Sequence, residues 1–213
     1  MKIEEVVKDA ESIGIGGHIR PDGDCVGACM ALYLYLRKVF PEKSVELFLE
    51  RPSEVFHCIK DIDKIRTDVM EGGSYDGDFD VFIALDTVKE RLGAAQPLFD
   101  RAGKTVNIDH HISNKGCGTV NYIDPHASST SELIFRAIEE EKLDVEIAKA
   151  IYIGIVHDTG VFRYSSTSPE TLAIASKLVA FGFDFSEIID RTFYEKTYVQ
   201  TLLLGRALLE SIL

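Results

Sequence analysis

Short apolar runs alternate along the chain with longer segments in which apolar residues recur at helical spacing. The apolar runs predict strands at 12–17, 45–49, 81–85, 105–108 and 119–123. The longer segments predict helices at 2–10, 26–39, 129–141, 145–157, 169–181 and 194–212. Strands that alternate with helices are typical of α/β domains. The sequence therefore predicts a three-layer α/β/α fold with a mostly parallel central sheet.

Polar residues with metal-binding side chains follow three of the predicted strands. His18, Asp22 and Asp24 come after the first strand, Asp86 after 81–85, and Asp109-His110-His111 after 105–108. Ligands of open α/β sheets bind at the carboxyl ends of the strands. We therefore expect these side chains to gather at one edge of the sheet.

A further aspartate ends the predicted helix 145–157. Asp158 follows a nearly continuous apolar stretch and precedes Thr159-Gly160. An unpaired buried carboxylate is costly, so Asp158 is a helix cap, one member of an ion pair or a metal ligand.

Four carboxylates and two imidazoles are the candidate ligands: His18, Asp22, Asp24, Asp86, His110 and Asp158. Carboxylates packed together repel one another unless cations or protons neutralise them. Mixed His and Asp ligands suit Mn²⁺, and also Fe²⁺, Co²⁺ or Zn²⁺. One carboxylate can bridge two ions, and two-metal sites recur in phosphoryl hydrolysis. The sequence thus predicts a metal-dependent active site.

The overall charge and composition limit the partners that we expect. The net charge is −12, and the chain has no cluster of basic residues, which makes long duplex nucleic acid an improbable partner. No run of 18 apolar residues and no secretory signal is present, so we expect a cytoplasmic protein that does not interact with membranes. The four cysteines are expected to be reduced thiols rather than a disulfide framework.

Four ordered motifs resemble those of the DHH phosphoesterase family. They are H-I-R-P-D-G-D-C-V-G-A from His18, A-L-D-T around Asp86, N-I-D-H-H around Asp109, and V-H-D-T-G-V-F-R around Asp158. Within this family the chain is most similar to the NrnA-like branch, which acts as oligoribonuclease and as phosphatase of 3'-phosphoadenosine 5'-phosphate (pAp). The segments F-R-Y-S-S-T-S-P-E-T-L and A-S-S-T-S-E-L-I add to that likeness.

The resemblance implies a role for each motif residue. His18, Asp22 and Asp86 would hold one Mn²⁺. Asp24, Asp86, His110 and Asp158 would hold a second Mn²⁺, so that Asp86 would bridge the two ions. His111 would face the substrate as a phosphate contact or proton donor. Asp109 would orient a histidine ring, as partners of metal-bound imidazoles do. Arg163 would be a phosphate clamp, or else simply a surface arginine.

The last predicted helix has a strongly apolar face formed by valine and leucine side chains. The resemblance implies a catalytic domain over 1–192 and, over 193–213, a linker helix toward a C-terminal domain that this chain does not contain. Two alternatives to a linker remain: the helix packs on its own domain, or it packs on a second copy of the chain in a homodimer.

Several functions are compatible with this motif set. The leading expectation is a two-metal phosphoesterase acting on short oligoribonucleotides, on pAp, or on both. Alternatives are a phosphodiesterase of the dinucleotides c-di-AMP or pApA, a manganese inorganic pyrophosphatase, and a binding module without catalysis. The filled ligand positions argue against the binding module.

Overall fold

A five-stranded parallel sheet forms the centre of the molecule, described here for residues 1–211 of a computed structural model. The strands are β1 (Ser12–Gly16), β2 (Ser44–Phe48), β3 (Val81–Leu85), β4 (Lys104–Asp109) and β5 (Val120–Ile123). Their order is β2-β1-β3-β4-β5, and every neighbouring pair is parallel. Each predicted strand lies within one residue of the observed one at either end.

Helices cover both faces of the sheet and confirm the three-layer prediction. The α-helices are α1 (Ile3–Val7), α2 (Gly23–Val39), α3 (Thr67–Met70), α4 (Gln96–Arg101), α5 (Thr130–Ala137), α6 (Val145–Asp158), α7 (Pro169–Val179), α8 (Phe185–Ile189) and α9 (Tyr198–Glu210). Short 3₁₀ turns occupy parts of 54–64 and 89–95.

The central strand β3 supplies side chains to two separate apolar cores. Val81, Ile83 and Leu85 belong to the larger core, which includes residues of α2, α5 and α6. Phe82 and Ala84 point the other way into a smaller core with residues of α4. This alternation follows from the two-residue period of a strand, and it explains why the whole of β3 is apolar.

Helices α2 and α6 cross at very short range in the larger core. A Cβ atom at Gly27 would lie 2.7 Å from the carbonyl oxygen of Ala150 and 2.9 Å from the Cα atom of Gly154. Only glycine allows two backbones to approach this closely. The crossing places the first turn of α2 beside the last turns of α6.

Several predicted helix boundaries were wrong. Helix α2 begins three residues before the predicted position 26, because the Asp22 carboxylate accepts hydrogen bonds from the first-turn amides. Helix α5 ends at Ala137 rather than at 141. Two residues later, Glu139 donates its N–H to Tyr35 Oη. Helix α1 ends at Val7 rather than at 10. Helices α3, α4 and α8, all short, were not predicted.

The C-terminal helix α9 begins later than predicted. A π-helical turn covers Asp190–Tyr194, and Thr197 then caps α9 through a reciprocal hydrogen bond with Gln200. Large apolar side chains of α9 are exposed in the described part of the chain. The predicted end at 212 lies outside the described residues. No helix within residues 1–211 is long and apolar enough to cross a membrane.

Candidate metal centre

The predicted site residues gather at the carboxyl edge of the sheet. β1 leads to His18 and the start of α2, β3 leads directly to Asp86, and β4 ends at Asp109. Asp158, the last residue of α6, reaches the same edge because of the close α2–α6 crossing. The parallel arrangement thus brings together residues that are 140 positions apart in sequence.

His18 contacts two aspartates through one ring nitrogen. Its Nε2 lies 3.6 Å from Asp22 Oδ2 and 3.5 Å from Asp86 Oδ2. The Nδ1–H donates to the carbonyl oxygen of Ile19 at 2.8 Å, which leaves Nε2 directed at the carboxylates. A backbone hydrogen bond of this kind fixes the tautomer of a metal-binding imidazole.

Asp22 combines two roles at the start of α2. Its Oδ1 accepts the N–H groups of Asp24 and Cys25, each at 3.1 Å, while Oδ2 faces His18. Burial opposes ionisation, but the hydrogen bonds from His18 and the Cys25 amide dominate and lower the pKa of Asp22 to about 2. The carboxylate is therefore charged at neutral pH.

Asp86 is the central residue of the site. It is 2% exposed, and its backbone has φ 56°, a left-handed conformation that is uncommon outside glycine and that aspartate adopts more readily than most residues. One carboxylate oxygen, Oδ2, faces His18; the other, Oδ1, lies 3.8 Å from His110 Nε2 and 3.5 Å from His111 Nδ1. Burial raises the pKa of Asp86. This carboxylate therefore lies between two groups of candidate ligands and contacts both.

The second group consists of Asp24, His110 and Asp158. Their ligand atoms all lie within 4.8 Å of one another, and His110 Nε2 is 3.0 Å from Asp158 Oδ2. Burial and the neighbouring charges of Asp86 and Asp158 raise the pKa of Asp24. Burial opposes protonation of His110, but the bonds and charges of nearby aspartates raise its pKa to about 9. A divalent cation would replace protons in balancing these charges.

His111 packs beside His110, with the ring centroids 4.6 Å apart, and is held by Asp109. Its Nδ1–H donates to Asp109 Oδ1 at 2.7 Å, and its backbone N–H donates to the same oxygen at 2.9 Å. The His111 side chain is 47% exposed, whereas Asp109 is buried. The structure thus gives Asp109 a contact with the Nδ1 side of one partly exposed histidine ring.

Cys25 also lies within ligand distance of His18 and Asp86. Burial and the neighbouring Cys29 raise the pKa of the Cys25 thiol. A protonated thiol is a poor metal ligand, because the thiolate is the binding form. Cys25 and Cys29 are both buried, whereas Cys58 is exposed.

A sequence model of the DHH family, N-terminal domain, matches residues 12–155. The chain belongs to the DHH family. The matched range includes every residue of the site described so far except Asp158.

Two proteins that carry the same name are similar to most of this chain. It is 30% identical over 198 residues to "Bifunctional oligoribonuclease and PAP phosphatase NrnA" of Bacillus subtilis, covering 90% of this chain and 60% of that protein. The protein of the same name from Thermus thermophilus is 28% identical, with 89% and 56% covered. The chain therefore spans little more than half the length of these relatives.

A solved structure also matches this DHH chain across nearly its whole length. It is an exopolyphosphatase-related protein from Bacteroides fragilis, 25% identical, with a TM-score of 0.86. The match covers 99% of this chain and 65% of the other. The α/β/α arrangement is thus shared with a known structure.

Arg163 lies in the turn that follows Asp158 at the end of α6. The turn is unusual because Gly160, Val161 and Phe162 are all left-handed, with φ of 55°, 58° and 62°. Within residues 1–211, Arg163 is exposed and makes no ion pair. Its side chain is therefore available to an anion.

Sequence reasoning missed several polar residues that support the site. Asn114 is buried, and its Nδ2 donates to Asp109 Oδ2 at 2.5 Å and to Asn107 Oδ1 at 3.0 Å. Thr130 and Ser131, at the start of α5, contact Asp24. The polar run Ser128–Ser131, which leads into α5, was the available sequence signal. The site carboxylates that this run contacts are distant in sequence.

Proposed function

We propose that this chain is the catalytic part of a metal-dependent phosphoesterase that hydrolyses short oligoribonucleotides, pAp, or both. The observation that carries the proposal is the position of Asp86 between two groups of ligand atoms. A shared carboxylate between two such groups is the arrangement found in two-metal hydrolytic sites. The NrnA-named relatives supply the substrate class.

Two divalent ions, which we propose to be Mn²⁺, would be held by the residues at the sheet edge. His18, Asp22 and Asp86 would hold one ion. Asp24, Asp86, His110 and Asp158 would hold the other. The mixture of imidazole and carboxylate donors fits Mn²⁺ better than Mg²⁺ or Ca²⁺, which prefer oxygen alone.

The protein residues would orient these ligands and the substrate. When bound, the ions would activate water and stabilise the oxygen that leaves phosphorus. The backbone hydrogen bond at His18 Nδ1 keeps Nε2 directed at Asp22 and Asp86. The buried position of Asp86 limits competition from solvent water.

His111 would act on the substrate rather than on the ions. Asp109 holds its Nδ1, so Nε2 is the ring atom that would contact a phosphate oxygen or give a proton to the leaving oxygen. General acids of this kind contribute about 10²- to 10⁴-fold to a rate. Arg163 would clamp a phosphate group, because a planar guanidinium binds two phosphate oxygens at once.

A second candidate substrate is a cyclic or linear dinucleotide. The chain is 28% identical to the cyclic-di-AMP phosphodiesterase GdpP of Geobacillus thermodenitrificans, covering 85% of this chain but only 30% of that protein. We place this function second because the NrnA-named relatives match over a larger share of their own length.

A substrate panel with Mn²⁺ tests the proposal. We expect turnover of pAp and of short RNA, weaker turnover of pApA and c-di-AMP, and none of pyrophosphate. The Asp86→Asn variant, purified in parallel, controls for contaminating nucleases. Preferential cleavage of c-di-AMP would favour the second candidate. Failure to hydrolyse any phosphoester in the presence of bound metal would contradict the proposal.

A further inference from the structure

The start of helix α5 contacts two of the acidic residues at the site. The Thr130 N–H donates to Asp24 Oδ2 at 2.7 Å, and the Ser131 N–H donates to Asp24 Oδ1 at 2.9 Å. The Thr130 hydroxyl donates to Asp86 Oδ1 at 3.0 Å. All four residues are 2% exposed or less. One residue, Thr130, therefore contacts both carboxylates.

These contacts are not needed to cap the helix. Helix α5 has its own cap, because the Ser129 hydroxyl accepts the N–H of Glu132 at 3.0 Å. The two preceding amides remain free for an outside acceptor, and the positive end of a helix favours a carboxylate there. Asp24, which belongs to α2, supplies that acceptor.

Buried Glu132 immobilises the turn that carries Thr130. Its Oε2 accepts the N–H of Ser128 at 3.2 Å and the hydroxyls of Ser128 and Thr171 at 2.5 and 2.7 Å. Its Oε1 pairs with Arg136, which also binds Asp124 Oδ2 at 3.0 Å. The turn is thus tied to α7 and to the segment after β5.

Helix α6 prevents the turn from moving toward it. A Cβ atom at Gly154 would lie 1.9 Å from Ser131 Oγ and 2.9 Å from Asp24 Oδ1. The Ser131 side chain therefore fills the space that only a glycine leaves open. Together with the Glu132 contacts, this packing fixes the donors of Thr130 and Ser131 relative to α2 and β3.

We propose that Thr130 is a positioning residue that sets the orientation of the Asp24 and Asp86 carboxylates before an ion binds. This inference rests on the proposed function in one respect only, namely that these aspartates are metal ligands. A carboxylate oxygen has two lone pairs, so it accepts a hydrogen bond and still binds a cation. Partners of metal ligands typically change metal affinity about 10- to 100-fold when removed.

Titration of the metal-free chain with Mn²⁺, followed by calorimetry, tests this role. Thr130→Val removes the hydroxyl and keeps the shape of the side chain. Thr130→Ala removes both the hydroxyl and the methyl group, and Thr130→Ser keeps the hydroxyl but loses the methyl group. We expect both hydroxyl-free variants to bind Mn²⁺ about 10-fold or more weakly, and Thr130→Ser to bind nearly as tightly as wild type.

Thr105→Val is the matched control. Thr105 lies toward the opposite end of β4, and its hydroxyl accepts the N–H of Thr119 at 2.9 Å. The control should bind Mn²⁺ like wild type. Metal-free thermal unfolding of every variant separates a loss of affinity from a loss of fold, and Thr130→Ala should unfold within a few degrees of wild type.

Three results would overturn the proposal. One is wild-type affinity in the hydroxyl-free variants, and another is an equal loss in Thr130→Ser, since packing would then be the cause. The third is a wild-type chain that binds no divalent ion, which would also remove the basis of the proposed function. A chain that binds Mn²⁺, depends on Thr130 for affinity and hydrolyses no phosphoester would contradict the function alone.

Discussion

The two sides of the candidate metal site differ in how their side chains are held. Asp24 and Asp86 are buried and receive hydrogen bonds from the immobilised start of α5. His111 and Asp158 are 47% and 29% exposed, and their contacts come from neighbouring site residues. The buried side is fixed by the fold, whereas the open side is where a substrate can approach. A change at Asp24 or Asp86 should therefore affect metal binding, and a change at His111 mainly turnover.

The largest expected effect comes from Asp86, on the buried side. Asp86→Asn should abolish turnover and weaken the binding of both ions, because it removes the shared carboxylate. Asparagine tolerates the left-handed backbone at this position better than alanine, so the fold should survive. Metal analysis and metal-free thermal unfolding measure the two effects. Asp22→Asn should lose only one ion, and loss of a single ion from Asp86→Asn would contradict the shared role.

A change at His111, on the open side, should separate turnover from metal content. His111→Asn should bind as much Mn²⁺ as wild type while kcat falls about 10²- to 10⁴-fold, the range expected for a lost general acid. Metal analysis and steady-state kinetics on the same preparation provide the comparison. If one ion is lost instead, His111 is a ligand and the two sides are not distinct.

The close packing behind the buried side gives a third, smaller effect. Gly154→Ala should destabilise the fold by about 1–3 kcal/mol, because the new methyl group would collide with Ser131 and Asp24. Gly205→Ala in α9 is the matched control. A Cβ atom there meets nothing within 4 Å, so this change should stabilise the helix by about 0.5–1 kcal/mol. Equal unfolding temperatures for the two variants would contradict the packing argument.

The smallest expected effect concerns Arg163. Arg163→Gln should raise KM for pAp several-fold and leave metal content unchanged, because an exposed cation contributes modest binding energy. Arg206→Gln, which changes an exposed arginine of α9, serves as the control. A kinetic profile identical to wild type would show that Arg163 is a surface arginine without a role in substrate binding.

The sheet, and the gathering of the candidate ligands at one of its edges, could be predicted because both depend on short-range sequence signals. Apolar runs such as 81–85 define strands, and the acidic or imidazole residues after them define one edge of a parallel sheet. The contacts of Thr130 with Asp24 and Asp86 could not be predicted in the same way. They depend on how α5 is placed against α2 and β3, which are remote in sequence. Short helices such as α4 have too few residues to show a helical period.

The close α2–α6 crossing also has a consequence for the order of events during synthesis. The second group of ligands is incomplete until Asp158, 140 residues after His18, has left the ribosome and α6 has docked against Gly27. A growing chain would thus expose a partial set of these acidic side chains until α6 has docked. Tight uptake of the second ion would follow that docking, so full metal loading would mark a chain whose core is already assembled.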